Sequence, residues 1–325
     1  MGSDNFSVPS LRACLTCADV IAVYTQPDRR SGRGRKQLQP SPVKQVATEH
    51  RLHVEQPETF DNQCVETLRG FEADLIVVAA YGQLLPRGAL KAARLGTVNV
   101  HASLLPRHRG AAPVAAAILA GDTDAGVTVM KVRPKLDAGE IVCCGERRRR
   151  AQKATPIRED ETAGQLTARL AAIGAELLAE VLRAFADGSV TYESQDDAQA
   201  TVAPKLRKPD ARIDWSRPAD RIVRHVRAMT PWPGAYTELH APGLEPIRIT
   251  VLEARITDAG GGAGPGRLAV PGGSRLVVST GEGHVELIRL KPAGRSAMAA
   301  ADFARGCSAL REGAERDGGC WFAGA

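Results

Sequence analysis

Aromatic side chains are scarce in this chain of 325 residues: Phe, Trp and Tyr make up only 4% of it. A protein so poor in rings does not hold nucleic acid mainly by stacking bases on an aromatic platform. Long apolar runs are missing too. None approaches the roughly 18 to 20 residues of a membrane-spanning helix, and no signal peptide is recognisable after Met1. No membrane partner and a cytoplasmic location are therefore expected. The seven cysteines lack the spacing of a disulfide framework. Cys14 and Cys17 form a C-x-x-C in a short helical stretch, but no second pair stands at zinc-finger distance. Cys143 and Cys144 read as strand packing residues in a reducing compartment. No metal is expected. No G-x-G-x-x-G follows a strand and no G-x-S-x-G occurs, so neither a dinucleotide fingerprint nor a nucleophile elbow is supported.

What is present is charge and periodicity. The formal net charge of +6 points to a polyanionic partner, and 43% hydrophobic residues are enough for two ordinary domains. Val20 to Thr25 and Asp74 to Ala80 are continuous apolar runs of the kind parallel sheets bury on both faces. They alternate with short helices over Val8–Cys17, Val43–His50 and Arg87–Arg94, the rhythm of an α/β sheet. Thr162 to Ala186 is a long amphipathic helix. Thr162 and Gln165 make a capping box, and Leu166, Leu170, Ile173, Leu177, Val181 and Phe185 recur at three- and four-residue steps. Beyond a polar stretch, Arg217–Met229 reads as a helix and Ile247–Val251, Arg275–Ser279 and Val285–Leu290 as strands with Gly-rich turns, a small barrel.

The stretch Gly96 to Pro113 carries the chemistry. It opens as a strand in which Val98 and Val100 point to one face and Asn99 and His101 to the other. An amide and an imidazole then stand side by side at the carboxyl end of a strand, where open α/β sheets bind ligands. Downstream, a second strand runs into the turn Leu136-Asp137-Ala138-Gly139, which can bring a carboxylate opposite them. Between Gln26 and Pro42 lies a basic loop without apolar period, carrying Arg29, Arg33, Arg35 and Lys36. Such segments suit phosphates.

Asn99, His101, the run Ser-Leu-Leu-Pro-Arg-His-Arg-Gly-Ala-Ala-Pro from Ser103 to Pro113, and Leu-Asp-Ala-Gly keep the order found in formyltransferases that use 10-formyltetrahydrofolate. The chain most resembles the methionyl-tRNA formyltransferase family, from about Phe6 to about Leu310. The resemblance implies a mostly parallel Rossmann-like sheet, its first strand missing ahead of Gly2, followed by a smaller OB-like barrel. It implies a catalytic domain over 1–186, a linker over 187–208, a tRNA-binding barrel over 209–312 and a disordered tail over 313–325. The expected substrates are 10-formyltetrahydrofolate and initiator methionyl-tRNA, and the expected state is a monomer. Asn99 and His101 would stabilise the oxyanion and Asp137 would take the proton. Ser103, Leu104, Leu105 and Pro106 would line the folate site, and Arg29, Arg33, Arg35 and Lys36 would grip the tRNA acceptor stem. His108 departs from the usual Trp of this family. Formylation of an amino sugar, hydrolysis of the formyl folate, and an inactive binding paralogue are the alternatives.

Overall fold

The computed structural model describes residues 1–31, 37–145, 148–241, 243, 245–260, 262–307, 310 and 319–323. The chain forms two compact units. The first comprises Met1–Pro113, Thr123–Pro156 and Leu166–Pro204, the second Val114–Asp122, Ile157–Gln165 and Lys205–Ala325.

In the first unit the strand Thr97–His101 is the dividing line of the sheet. It pairs in parallel with Ile76–Val78 on one side and antiparallel with Asp124–Lys131 on the other. The order continues through Ile141–Cys144 to Arg149–Arg150, with Gln152–Pro156 and Thr191–Glu193 added antiparallel. Ile76–Val78 and Thr97–His101 are joined by a connection long enough for a parallel crossover, whereas the strands from Asp124 to Pro156 follow one another through short turns, which permit only antiparallel pairing. Val23–Tyr24 and Val54–Glu55 form a separate parallel pair. Met1 and Gly2 link that pair to the sheet: Gly2 N–H donates to the Tyr24 carbonyl, and Ala79 N–H to the Met1 carbonyl. A side chain at Gly2 would collide with Ser7 and the Ala79 oxygen.

The helix Ala163–Ala186 starts at the expected capping box: Thr162 N–H donates to Gln165 Oε1 and Gln165 N–H to Thr162 Oγ1. Its buried residues include Leu166, Leu170, Leu177 and Val181, each worth about 1.5–3 kcal/mol on burial. Gly174 lets the helix come close to the sheet, since a Cβ there would lie 3.0 Å from Val100 and 3.3 Å from Val127. With the valines of Thr97–His101 pressed under a helix, Asn99 and His101 take the opposite face.

The stretch read as a linker is more than a connection. Thr191–Glu193 is an edge strand of the sheet, and Val202–Ala203 pairs in parallel with Arg109–Gly110. Polar composition disguised it, because a short edge strand buries little.

The second unit is an antiparallel barrel in the order Leu268–Ala269, Leu276–Ser279, His284–Pro292, Ile247–Thr257, Tyr236–His240, Trp321–Ala323. It closes where Leu268 N–H donates to the Cys320 carbonyl and Phe322 N–H to the Gly266 carbonyl. The helix Ala219–Met229 contributes Ile222, Val226 and Met229 to its core. Trp321–Ala323 corrects the expectation of a disordered tail over 313–325. Phe322 is buried and stacked on Trp215, with ring centroids 5.5 Å apart. A three-residue strand after a Gly-rich stretch has too little pattern of its own to be seen without its partners. No described helix is long and apolar enough to cross a membrane.

Candidate active site

His101 ends its strand fully buried, and its two nitrogens have different surroundings. Nε2 lies 3.0 Å from the His108 carbonyl oxygen. A carbonyl only accepts, so Nε2 carries the proton. Nδ1 is left facing Asp137, 3.8 Å from its Oδ2. Burial, the larger effect, pushes the imidazole below its ordinary value, and the Asp137 charge only partly opposes this. His101 is therefore neutral near pH 7, with Nδ1 as an acceptor. An Nδ1 without a proton becomes a donor only after it has taken one.

Asp137 sits at the tip of its turn with φ +46°. Its carboxylate accepts from Gly110 N–H at 2.9 Å. The ends of the turn are tied by Arg133 and Glu140, at 2.7 and 2.9 Å, a pair that holds the Glu140 carboxyl down at about 2. Across the gap His108 has φ +57° and Gly110 φ +129°. Such conformations cost about 1–3 kcal/mol for a non-glycine residue and persist where surrounding bonds over-determine them. At Gly110 only glycine fits, because a Cβ would come within 2.3 Å of the Ala203 oxygen.

Asn99 is half-buried one pleat before His101. No hydrogen bond ties its side-chain amide to any described residue, so both its N–H donors are available to a ligand. The expected trio of Asn99, His101 and Asp137 thus comprises two neighbours on one strand face and a carboxylate brought against the second.

The turn from Ser103 to Pro106 is nailed down from beneath. Thr128, wholly buried, donates to the Ser103 carbonyl at 2.6 Å and accepts from Leu105 N–H at 3.2 Å. Gln152 donates to both the Leu105 carbonyl and Thr128. Ser103 and Leu105 are buried, leaving Leu104 and Pro106 half-exposed as the residues able to line a ligand. Thr128 could have been found from sequence as a hydroxyl inside a valine run. Gln152 sits in a charged stretch and gave no such signal.

Arg109, in the run from Ser103 to Pro113, is buried, and its guanidinium forks onto Gln195 Oε1 at 2.8 and 3.0 Å and reaches Asp197 at 2.8 Å. Arg29 is exposed in the hairpin Arg29–Ser31/Gln37–Gln39 and donates to Gln26. Arg33, Arg35 and Lys36 lie outside the described residues. Among the described residues, no group of three or more His, Cys, Asp or Glu is placed to hold a metal ion.

Residues 8–182 match the model of the family described as formyl transferase, and residues 205–308 that of the formyl transferase C-terminal domain. The methionyl-tRNA formyltransferase of Halorhodospira halophila is 45% identical over 306 residues, 94% of either chain. That of Methylococcus capsulatus is 43% identical over 304 residues, 93% of this chain and 94% of its own. Among solved structures, an N-formyltransferase from Helicobacter canadensis, in complex with folinic acid and dTDP-3-aminofucose, aligns with TM-score 0.62 at 14% identity. It covers 88% of this chain and 96% of the other, a likeness of fold.

Proposed function

The chain belongs to the formyl transferase family, among the methionyl-tRNA formyltransferases, and on that footing we propose that it formylates the amino group of initiator methionyl-tRNA from 10-formyltetrahydrofolate. Its substrate is used where translation starts, so the reading includes action in the cytoplasm, and we propose that the chain acts as a monomer. The observation that carries the mechanism is the grouping of an uncommitted Asn99 amide with a neutral, buried His101 whose free nitrogen faces Asp137 at 3.8 Å.

Formyl transfer is acyl transfer between two nitrogens. The bond from the formyl carbon to the amine forms, the bond to the folate nitrogen breaks, and one proton must pass from attacking to leaving nitrogen. An α-amino group has a pKa near 8, roughly, so at neutral pH it arrives mostly as an ammonium, with one proton to shed to solvent before attack besides the one that passes to the leaving nitrogen. Asp137 and His101 Nδ1 are two acceptors on one gap, suited to take these two protons. Once protonated, Nδ1 becomes a donor. It then joins the Asn99 amide in stabilising the oxyanion, a contribution of about two to three orders of magnitude per donor, and can return the proton to the leaving nitrogen. The half-exposed Leu104 and Pro106, on a turn fixed by Thr128 and Gln152, support the folate role given to Ser103, Leu104, Leu105 and Pro106. The exposed Arg29 supports phosphate contact by the loop that also holds Arg33, Arg35 and Lys36.

The test is incubation with 10-formyltetrahydrofolate and methionyl-tRNA, scoring formyl-methionyl-tRNA, with an amino-sugar nucleotide as competing acceptor. Asp137→Asn should lower kcat more than about tenfold, about 1.4 kcal/mol, with folate binding largely kept. A variant retaining more than a tenth of the turnover, or formylation of the sugar alone, would refute the assignment.

A further inference from the structure

The polar stretch that follows Thr191–Glu193 is tied to both sides of the gap between His101 and Asp137. On one side Gln195 Nε2 donates to the carbonyls of Asp137 and Gly139, at 2.8 and 2.6 Å. On the other, His108 N–H donates to Thr201 Oγ1 at 2.8 Å and Arg109 N–H to the Thr201 carbonyl at 2.8 Å. The Arg109 guanidinium joins the two sides by gripping Gln195 Oε1. The fork settles which way the Gln195 amide points: its oxygen must face the five-donor guanidinium, so its NH2 faces the two carbonyls.

We infer that Gln195 is a positioning residue for the formyl transfer proposed above, acting through the backbone carbonyls of Asp137 and Gly139 and oriented by the buried Arg109. The turn it grips is where Asp137 holds φ +46°. That conformation is unfavourable for a residue bearing a Cβ, though Asp bears it better than most, and bonds from outside the turn help to hold it. The amide supplies the constraint at two carbonyls of the turn, while Gly110 N–H fixes the carboxylate. Gln195 touches no reacting atom. It keeps the carboxylate across the gap from Nδ1, 3.8 Å away, where both acceptors can reach one amine, and misplacement by about 1 Å can cost about a hundredfold in rate.

Gln195→Glu is the informative variant, because it keeps the size of the side chain and the acceptor for Arg109 but removes both donors to the turn. Relative to wild type, kcat should fall by about thirtyfold or more, with KM for methionyl-tRNA and for 10-formyltetrahydrofolate each within about twofold. The melting temperature should stay within a few degrees. Gln195→Ala, which also strands Arg109, should lose as much turnover and some stability. The inference is overturned if Gln195→Glu keeps kcat within about threefold, or if its loss appears as a rise in KM or only in parallel with unfolding. It is also overturned if Gln195→Ala is as active as wild type, for the added charge would then be the cause. A wild-type protein that makes no formyl-methionyl-tRNA would instead refute the functional reading on which this inference rests.

Discussion

At the scale of single residues, the burial of His101 has a consequence for stability as well as for catalysis. In the unfolded chain its imidazole takes a proton near the ordinary value of 6.5, whereas in the folded protein burial defers protonation to lower pH. Between those two values the unfolded state binds more protons, so stability falls as pH falls through that window, by at most about 1.4 kcal/mol per pH unit. His225 is also held low by burial and adds a slope of the same sign. Urea midpoints should therefore decline from about pH 7.5 to about pH 5, and His101→Gln should flatten part of that decline. Identical slopes in the two proteins would show that His101 is not kept neutral by the fold. The same neutrality makes Nδ1 an acceptor, so activity should persist at pH values somewhat below those at which an exposed histidine is already charged.

At the scale of elements, the closing strand Trp321–Ala323 shows how much three residues can hold. Leu239 and Phe322 face one another across the ladder between Tyr236–His240 and this strand. Phe322 and Trp215 stack inside the barrel, and Trp215 Nε1 donates to Thr237 Oγ1 at 3.0 Å, which in turn donates to the Ala323 carbonyl. Removing the ring leaves a cavity bordered by Trp215 that the rigid barrel cannot collapse. Phe322→Ala should cost about 3–5 kcal/mol in equilibrium denaturation of the second unit. A loss below about 1 kcal/mol would mean that the strand lies on the barrel rather than in its core. The helix Ala163–Ala186 reached its predicted start within a residue because its signals are local. The capping box and the apolar stripe lie within the helix itself, and both survive whatever the rest of the chain does.

At the scale of the whole molecule, a net charge of +6 and a basic loop matter most for encounter with a polyanion. Cations that neutralise phosphates release counterions, so affinity for tRNA should fall steeply with salt. Replacing Arg33, Arg35 and Lys36 by Ala should flatten that dependence by about one unit of slope for each phosphate left without its cation. Binding titrations across a salt series measure this directly, and an unchanged slope with unchanged KM for tRNA would remove the loop from the interface. Arg109 will not behave like these cations. Its guanidinium is spent on Gln195 and Asp197 inside the first unit, so its removal should show in folding and turnover rather than in the salt slope.

The sequence by itself determined whatever depends on neighbouring residues. The two-residue alternation put Val98 and Val100 under a helix and Asn99 and His101 on the other face, and the 3.6-residue period drew the long helix. The order of the Ser103–Pro113 and Leu136–Gly139 motifs pointed to the family. Tertiary structure decided whatever depends on distant partners. Arg109 turned inward because Gln195, 86 positions later, supplies an acceptor that offsets the cost of burial. Residues 191 to 203 became part of the site through edge pairing and backbone acceptors, which polar composition does not display. The protonated nitrogen of His101 was chosen by a carbonyl seven residues away, on a residue, His108, that holds φ +57°. Periodicity is written in the side chains of adjacent residues, whereas a backbone carbonyl has the same chemistry at every position, and only the fold decides which one a buried imidazole meets.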